Sequence, residues 1–239
     1  MSVELMPRTR ALEPLRERVP PLENGDRLTR QEFHRRYEEM PENVRAELIE
    51  GVVFMSSPAR HVPHAKPQGS IVAWLGVYVA ETPHVELGDN GSVLLDTDNE
   101  FQPDAYLRLE PDDGGNSRLN EDGYIEGAPE LVVEVAASTV SRDLHQKLHV
   151  YRRTGVQEYL VWRTQDKALD WFRLREGKYE RVEPDAEGII RSEIFPGLRM
   201  AVDKMLSGDL AGVLAELQKG IASEEHQKFV EKLQTNVVK

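Results

Sequence analysis

The sequence predicts a mixed α/β fold in which one central β-sheet is flanked by helices. The run LVVEVAA at 131–137 is apolar at almost every position, which is typical of a strand buried on both faces. A helical pattern follows it directly, and a second β-rich run comes at 158–163. Along the rest of the chain, helical patterns alternate with short β-rich runs. This order predicts a single sheet with helices on its faces.

The N-terminal part of the chain predicts a tail, a helix and a hairpin. Residues 1–25 are rich in Pro, Arg and Glu and show no periodicity, so we expect a flexible tail. The letters TRQE at 29–32 fit a capping box, which predicts a helix over 29–39. Glu50-Gly51 lies between two β-rich runs and predicts a hairpin over 44–55.

The remaining elements follow from the spacing of apolar residues and from the turn residues between them. Polar, Gly-rich letters at 111–123 predict a mobile loop. The expected organisation is a tail at 1–25, a domain at 26–206 and a C-terminal helical appendage at 207–239. Further helices are predicted over 64–81, from 138 or 141 to 153, over 209–217 and over 224–234, further strands over 85–87, 92–95, 103–109, 169–174 and 179–182, and an extended segment over 194–198 that closes the domain.

The composition is that of a globular protein, with 39% hydrophobic and 30% charged residues among 239. No apolar stretch is long enough for a bilayer and the N-terminus has no signal-peptide core, so we expect a cytoplasmic protein. The absence of cysteine excludes disulfides, zinc–cysteine sites and thiol nucleophiles. The net charge of −12 counts against a nucleic-acid enzyme. It does not exclude one, because a carboxylate cluster that holds Mg²⁺ is itself negative.

Three polar residues break the local pattern and indicate a site. Glu134 stands within the apolar run at 131–137, where a carboxylate is costly unless it is paired or binds a metal. Asp104 follows Pro103, which marks a strand start or a sheet edge. Lys147 falls on the apolar stripe of the next helix, where an ammonium needs a carboxylate partner. Each has a structural alternative: a buried ion pair, a capping aspartate, and a lysine that reaches solvent past the helix edge.

Taken together, these three residues predict a magnesium site. The helix after Glu134 must pack back on the sheet, which brings Lys147 close, and Asp104 can lie on a neighbouring strand. Two carboxylates suit Mg²⁺, and Mn²⁺ is a substitute for it. The metal would polarise a phosphoryl group and lower the pKa of a bound water. The lysine would stabilise charge on the phosphate or orient the attacking water.

Four segments carry a resemblance to a known family: AELIEGVVFMSSPARH, FQPDAYL, EGAPELVVEVAASTVSRDLHQKLHVYRRTGVQEYLVW and FPGL. They resemble the Uma-type restriction endonucleases, a bacterial branch of the PD-(D/E)XK nuclease superfamily, over about residues 30–206. The resemblance implies a restriction endonuclease-like core, a mixed central sheet flanked by helices, and a metal-dependent nuclease. Asp104 and Glu134 match the signature carboxylates. Ala136 stands where the signature has lysine, and Lys147 matches the displaced lysine of this branch.

The resemblance also implies roles for three further residues. Glu47 matches an upstream glutamate that is a further metal ligand, although it could be a solvent-facing strand residue. The competing Glu50 is explained by its turn. His64 matches a recurrent histidine that could touch a phosphate or the metal shell, or could only cap or pack a helix. Ser138 could bind a phosphate at the helix start, or could only cap the helix.

The expected function is Mg²⁺-dependent hydrolysis of DNA, and a homodimer would be the simplest way to cut both strands. The main rival is a non-catalytic interaction or dimerisation module with a nuclease fold. The charge of −12 and the lack of a basic, aromatic-lined tract favour that rival. Hydrolysis of another phosphate ester, such as a nucleotide or RNA, is a third interpretation. His145 and His149 are spaced for a transition metal, but we expect an exposed pair.

Overall fold

Fourteen β-strands occur within residues 19–56 and 60–236, which are the residues that the computed structural model describes. In chain order they are β1 (Ala46–Ile49), β2 (Val52–Met55), β3 (Val85–Gly88), β4 (Val93–Asp96), β5 (Asn99–Phe101), β6 (Ala105–Leu109), β7 (Ser117–Leu119), β8 (Ile125–Gly127), β9 (Leu131–Ala136), β10 (Glu158–Arg163), β11 (Ala168–Arg175), β12 (Lys178–Val182), β13 (Ile189–Arg191) and β14 (Arg199–Ala201).

Two six-stranded sheets, and not the single predicted sheet, organise these strands. The first has the order β2-β1-β5-β4-β8-β7, the second has the order β12-β11-β10-β9-β6-β3, and β13 and β14 pair separately. Each large sheet is mixed, because β4 with β8 and β9 with β10 are parallel pairs among antiparallel ones. The predicted mixed α/β fold with a mixed central sheet flanked by helices is confirmed, but the second large sheet was not predicted because β5, β7 and β8 have only three residues each. Such short strands show no alternating pattern.

Strand β9 lies at the centre of the second sheet and is buried at every position, as its apolar run predicts. Leu131, Val133 and Val135 belong to the core on one face of the sheet. Val132 and Ala136 belong to a second core on the other face, which also contains residues of the first sheet. Because side chains alternate along a strand, Glu134 points into this second core, between the two sheets.

The helices lie against these sheets, and two of them begin with a wider π-type turn. The turn His61–Ala65 precedes α2, and the turn Arg142–Lys147 precedes α3. Helix α3 provides the crossover that the parallel pair β9 and β10 requires. No helix in the described ranges is long and apolar enough to cross a bilayer. The helices are α1 (Arg30–Tyr37), α2 (Lys66–Ala80), α3 (Leu148–Thr154), α4 (Val202–Ser207), α5 (Leu210–Ile221) and α6 (Glu224–Asn236).

Both ends of the described chain pack on the domain. Residues 1–18, most of the predicted tail, lie outside the described residues. Leu22 is buried, and the Gly25 amide donates to Val53 O at 2.8 Å, so packing begins before residue 26. At the other end, Leu217 and Leu233 of the predicted appendage belong to the main core on one face of the second sheet. The apolar stripes of α5 and α6 therefore complete that core.

The predicted loop at 111–123 is also more ordered than its polar sequence indicates. A 3₁₀ turn, Pro111–Asp113, and strand β7 lie within it. Glu130, buried just before β9, accepts hydrogen bonds from the amides of Leu109 at 2.7 Å and Asn116 at 2.8 Å. These two bonds hold the chain on either side of the turn at 110–115, so the conformation of the first half of the segment depends on a residue that follows the whole loop.

Candidate metal and phosphate site

Lys147 lies at the centre of the polar cluster between the two sheets. Its Nζ donates to Glu134 Oε1 and to Glu47 Oε1, each at 2.8 Å, and the lysine side chain is only 4% exposed. Glu134 reaches this point from β9 and Glu47 from β1. The ammonium therefore joins a strand of each sheet to the helix that follows β9, and these three predicted residues do converge.

Lys147 points inward because it lies on the buried face that the wide turn shares with α3. The buried residues here are Asp143, Lys147, Val150 and Tyr151, which share one face at helical spacing. Leu144 is partly buried and packs against the same core as Val150 and Tyr151. The Tyr151 hydroxyl donates to Glu134 Oε1 at 2.8 Å. The inward face thus delivers two donors to a single carboxylate oxygen.

Asp104 lies beside Glu134 at the start of β6. The pairing of Ala105 with Val133 places Asp104 opposite Glu134 when the antiparallel register is continued by one residue. Asp104 Oδ2 accepts from the Val135 amide at 2.7 Å, and Oδ1 lies 3.2 Å from His64 Nε2. Asp104 therefore links β9, which carries Glu134, to the turn His61–Ala65, which carries His64.

Asp143 is a further member of this cluster, and the sequence analysis did not identify it. It is 2% exposed, and its Oδ2 accepts from the Thr139 hydroxyl at 2.5 Å. Asp143 precedes Lys147 by four residues, which is about one helical turn. Because residues at this spacing lie on the same helix face, the inward-facing lysine could have been used to predict that Asp143 also faces inward. Thr139 uses its hydroxyl for this bond. We call the following four residues the acidic cluster: Glu47, Asp104, Glu134 and Asp143.

The charges in the acidic cluster are strongly unbalanced, since four carboxylates surround one buried ammonium. Burial raises the pKa of Glu134 and that of Asp143, and the nearby ammonium only partly opposes this effect. Burial alone would lower the pKa of Lys147, but the surrounding carboxylates outweigh it and raise that pKa. The hydrogen bond to Asp104 raises the pKa of His64. A cation is the natural complement to this excess of negative charge.

The donor atoms of the cluster suit a hard divalent cation. Both hydrogen bonds from Lys147 and Tyr151 go to Oε1 of Glu134, and Glu134 Oε2 makes no hydrogen bond within residues 19–56 and 60–236. Glu47 likewise uses Oε1 for both Lys147 and the Gln102 amide, which lies at 2.9 Å. Carboxylate oxygens are the ligands that Mg²⁺ and Mn²⁺ prefer. The donor chemistry of these residues therefore fits the metal that the resemblance implies, although no three of them bring their ligand atoms within 4.8 Å of one another in the described part of the chain.

The acidic cluster forms the floor of a cleft of about 1020 Å³. Three guanidinium groups, those of Arg45, Arg60 and Arg142, line the cleft together with His64 and Ser138. Ser138 is exposed on the rim. Nδ1 of His64 is buried and has no hydrogen-bond partner among the described residues. The cleft thus combines an acidic floor with basic walls, although the whole chain carries a net charge of −12.

The predicted histidine pair does not contribute to the cleft. His145 and His149 are both exposed, and neither lines the cleft. Asp143 and Lys147 occupy the inward face of this helical segment. His145 and His149 each follow one of them by two residues, so their side chains point away from the cleft.

Comparisons with known proteins identify the family and the fold of this chain. A family model described as "Uma2: Putative restriction endonuclease" matches residues 30–203. Among solved structures, the chain is similar to "a putative nuclease belonging to DUF820 from Anabaena variabilis ATCC 29413", with 16% sequence identity and a TM-score of 0.54. That match covers 72% of this chain and 96% of the other, and it shows a shared fold. No curated protein matches the chain.

Proposed function

The chain belongs to the Uma2 family, and from that membership we propose that it is a metal-dependent endonuclease that hydrolyses phosphodiester bonds in DNA. Nuclease function is supported by the family description. The observation that carries the metal dependence is the acidic cluster that lines an open cleft, where the buried ammonium of Lys147 binds only two of the four carboxylates. A cluster with only a structural role would pair its charges more evenly.

Asp104 and Glu134 would hold the metal ion, with Glu47 as a further ligand. We expect Mg²⁺, with Mn²⁺ as a substitute, because the available ligands are carboxylate oxygens. The bound cation supplies a Lewis acid that polarises the phosphoryl group and favours ionisation of a nearby water. Asp143 is not one of the predicted metal ligands. Its negative charge beside Lys147 helps to keep the ammonium protonated, so we assign Asp143 the role of a positioning residue for Lys147.

The basic groups of the cleft act on the phosphate. Lys147 keeps its proton among the carboxylates, holds Glu47 and Glu134 in place, and stabilises the charge that develops on the reacting phosphate. His64 donates to Asp104 and presents its ring to the cleft. Arg142 and Ser138 on the wall are suited to the neighbouring phosphates of a strand.

The test is nicking of supercoiled plasmid by purified protein with Mg²⁺ or Mn²⁺. The Asp104→Asn variant removes one ligand charge and keeps the side-chain shape, so we expect it to lose nicking by about 100-fold or more. Asp122→Asn is the matched control, because Asp122 is exposed in a loop and does not line the cleft. Circular dichroism establishes that both variants fold.

The substrate class is tested with the same preparations. Single-stranded DNA, duplex DNA and RNA are offered in parallel, and we expect cleavage of DNA. Equal activity of wild type and Asp104→Asn, or inactivity of the wild type on every DNA form with either metal, would contradict the proposal.

A non-catalytic interaction module is the second candidate. It is favoured by the closed ion pairs of Lys147 with two glutamates, each at 2.8 Å, which also hold the two sheets together. Such a module would show no metal-dependent rise in melting temperature, whereas a metal bound to the folded state raises it. The homodimer, the cytoplasmic location and the three-part domain organisation remain predictions.

A further inference from the structure

A second group of side chains with metal-ligand chemistry lies at the other end of β6 from the acidic cluster. Asp104 directly precedes β6 and Glu110 directly follows it, so the strand separates these two residues by roughly 20 Å. Val85 pairs with Leu109, which brings His84, the residue before β3, next to Glu110. This group therefore forms no part of the cleft.

Three side chains of this group converge on one point. Ligand atoms of His84, Glu110 and Asp113 all lie within 4.8 Å of one another. His84 Nδ1 is 3.4 Å from Asp113 Oδ2, and the Asp113 side chain is only 3% exposed. The other oxygen, Asp113 Oδ1, is buried and has no hydrogen-bond partner within the described part of the chain. A buried carboxylate oxygen without a partner is costly, and a cation would provide one.

The backbone holds these ligands in a fixed arrangement. His84 has a φ of 64°, a left-handed conformation that is uncommon for residues other than glycine. Glu130 binds the amides on both sides of the turn that carries Glu110 and Asp113. At Gly115 a Cβ atom would lie 2.0 Å from Leu109 O, so only glycine allows the turn to close this tightly. The backbone positions of the three residues are thus fixed before any ligand binds, while the Glu110 side chain is exposed to solvent.

We propose that His84, Glu110 and Asp113 bind a divalent transition-metal ion, with Zn²⁺ as the best match. One imidazole nitrogen with two carboxylate oxygens suits Zn²⁺, which commonly takes histidine and acidic ligands together. Mg²⁺ is a poor match, because it prefers oxygen ligands alone. The bound ion would tie the turn after β6 to the turn before β3, and its function would be structural.

The experiment measures zinc retained by the full chain after loading with Zn²⁺ in excess Mg²⁺ and removal of free metal. The excess Mg²⁺ competes for the oxygen-only acidic cluster. We expect wild type to retain one zinc ion that His84→Asn loses, since asparagine tolerates the left-handed backbone. Glu110→Gln should weaken zinc binding about tenfold or more. Asp112→Asn removes the same charge from an exposed neighbour and should bind as wild type.

Hydrogen exchange of residues 110–116 gives a second readout. Zn²⁺ should slow exchange there in wild type and in Asp112→Asn, and leave His84→Asn unchanged. Equal zinc retention by wild type and His84→Asn would overturn the proposal, as would an equal loss in Asp112→Asn and Glu110→Gln. Nuclease activity does not enter this test, so its failure leaves the proposed function intact.

Discussion

Glu130 and Glu134 lie close together in the chain and are both buried, but their oxygens have different partners. Each oxygen of Glu130 accepts a backbone amide, from Leu109 and from Asn116. Glu134 receives Lys147 and Tyr151 on Oε1 alone, and the residue lines the cleft. The burial of a carboxylate therefore does not identify a functional group. The distribution of partners between its two oxygens is more informative, because a ligand needs a free oxygen.

The largest expected effect comes from removing the ammonium that Glu134 has and Glu130 lacks. Lys147→Met leaves the buried carboxylates of Glu47 and Glu134 without their cation, so it should lower the free energy of unfolding by about 3–5 kcal/mol. Urea denaturation measures this. Mn²⁺ should restore part of the loss, because a bound cation replaces the missing charge. Lys232→Met, at an exposed position on α6, is the control. Wild-type stability in Lys147→Met would contradict this view of the cluster.

Glu134→Gln should separate activity from stability. Burial raises the pKa of Glu134, so a neutral side chain of the same shape costs little stability. The loss of a metal ligand should reduce plasmid nicking by about 100-fold or more. Melting curves and nicking rates on the same preparation measure both effects. A large fall in melting temperature with retained activity would assign Glu134 to the fold alone.

Glu130→Gln should show the opposite behaviour. A glutamine amide group must face one of the two N–H donors that now bind the carboxylate, which should cost about 1–3 kcal/mol of stability. Nicking per folded molecule should stay at the wild-type level, because Glu130 does not line the cleft. Denaturation and active-fraction measurements test this pair of outcomes. A loss of nicking activity without a loss of stability would contradict the assignment of a purely structural role to Glu130.

Tyr151→Phe should have the smallest effect. It removes one of the two donors to Glu134 Oε1 and leaves Lys147 in place. We expect a loss of about 0.5–1.5 kcal/mol in stability and a modest change in nicking rate. Measured together with Glu134→Gln, it shows how much the hydroxyl contributes to positioning the carboxylate. No change in either quantity would mean that the ammonium alone fixes Glu134.

The inward position of Glu134 and Lys147 could be predicted because each interrupts an apolar pattern. Glu47 required the family resemblance, since no pattern in the hairpin singles it out. Asp143 was missed because the letters around it, SRDLHQK, are polar and hide the inward face. The second sheet was missed for a related reason. Its order depends on strands of three residues whose pairing is decided by contacts distant in sequence.

Glu130 shows a further limit of prediction from sequence. Glu130 directly precedes the apolar run in PELVVEV, and its sequence context predicts an ordinary loop glutamate. Its role depends on two amides that come from a different part of the chain, and a polar loop gives no sign of them. The same applies to His84, Glu110 and Asp113, which the register of β3 and β6 brings together.

The two π-type turns, His61–Ala65 and Arg142–Lys147, flank the cleft and carry His64 and Lys147. A turn of this kind contains one residue more than a regular helical turn. Deleting a single residue from either would rotate everything on one side of the deletion by about 100° relative to the other. An insertion or deletion within these two short segments would therefore misalign His64 and Lys147, the groups that we propose act on the phosphate, while leaving both sheets whole.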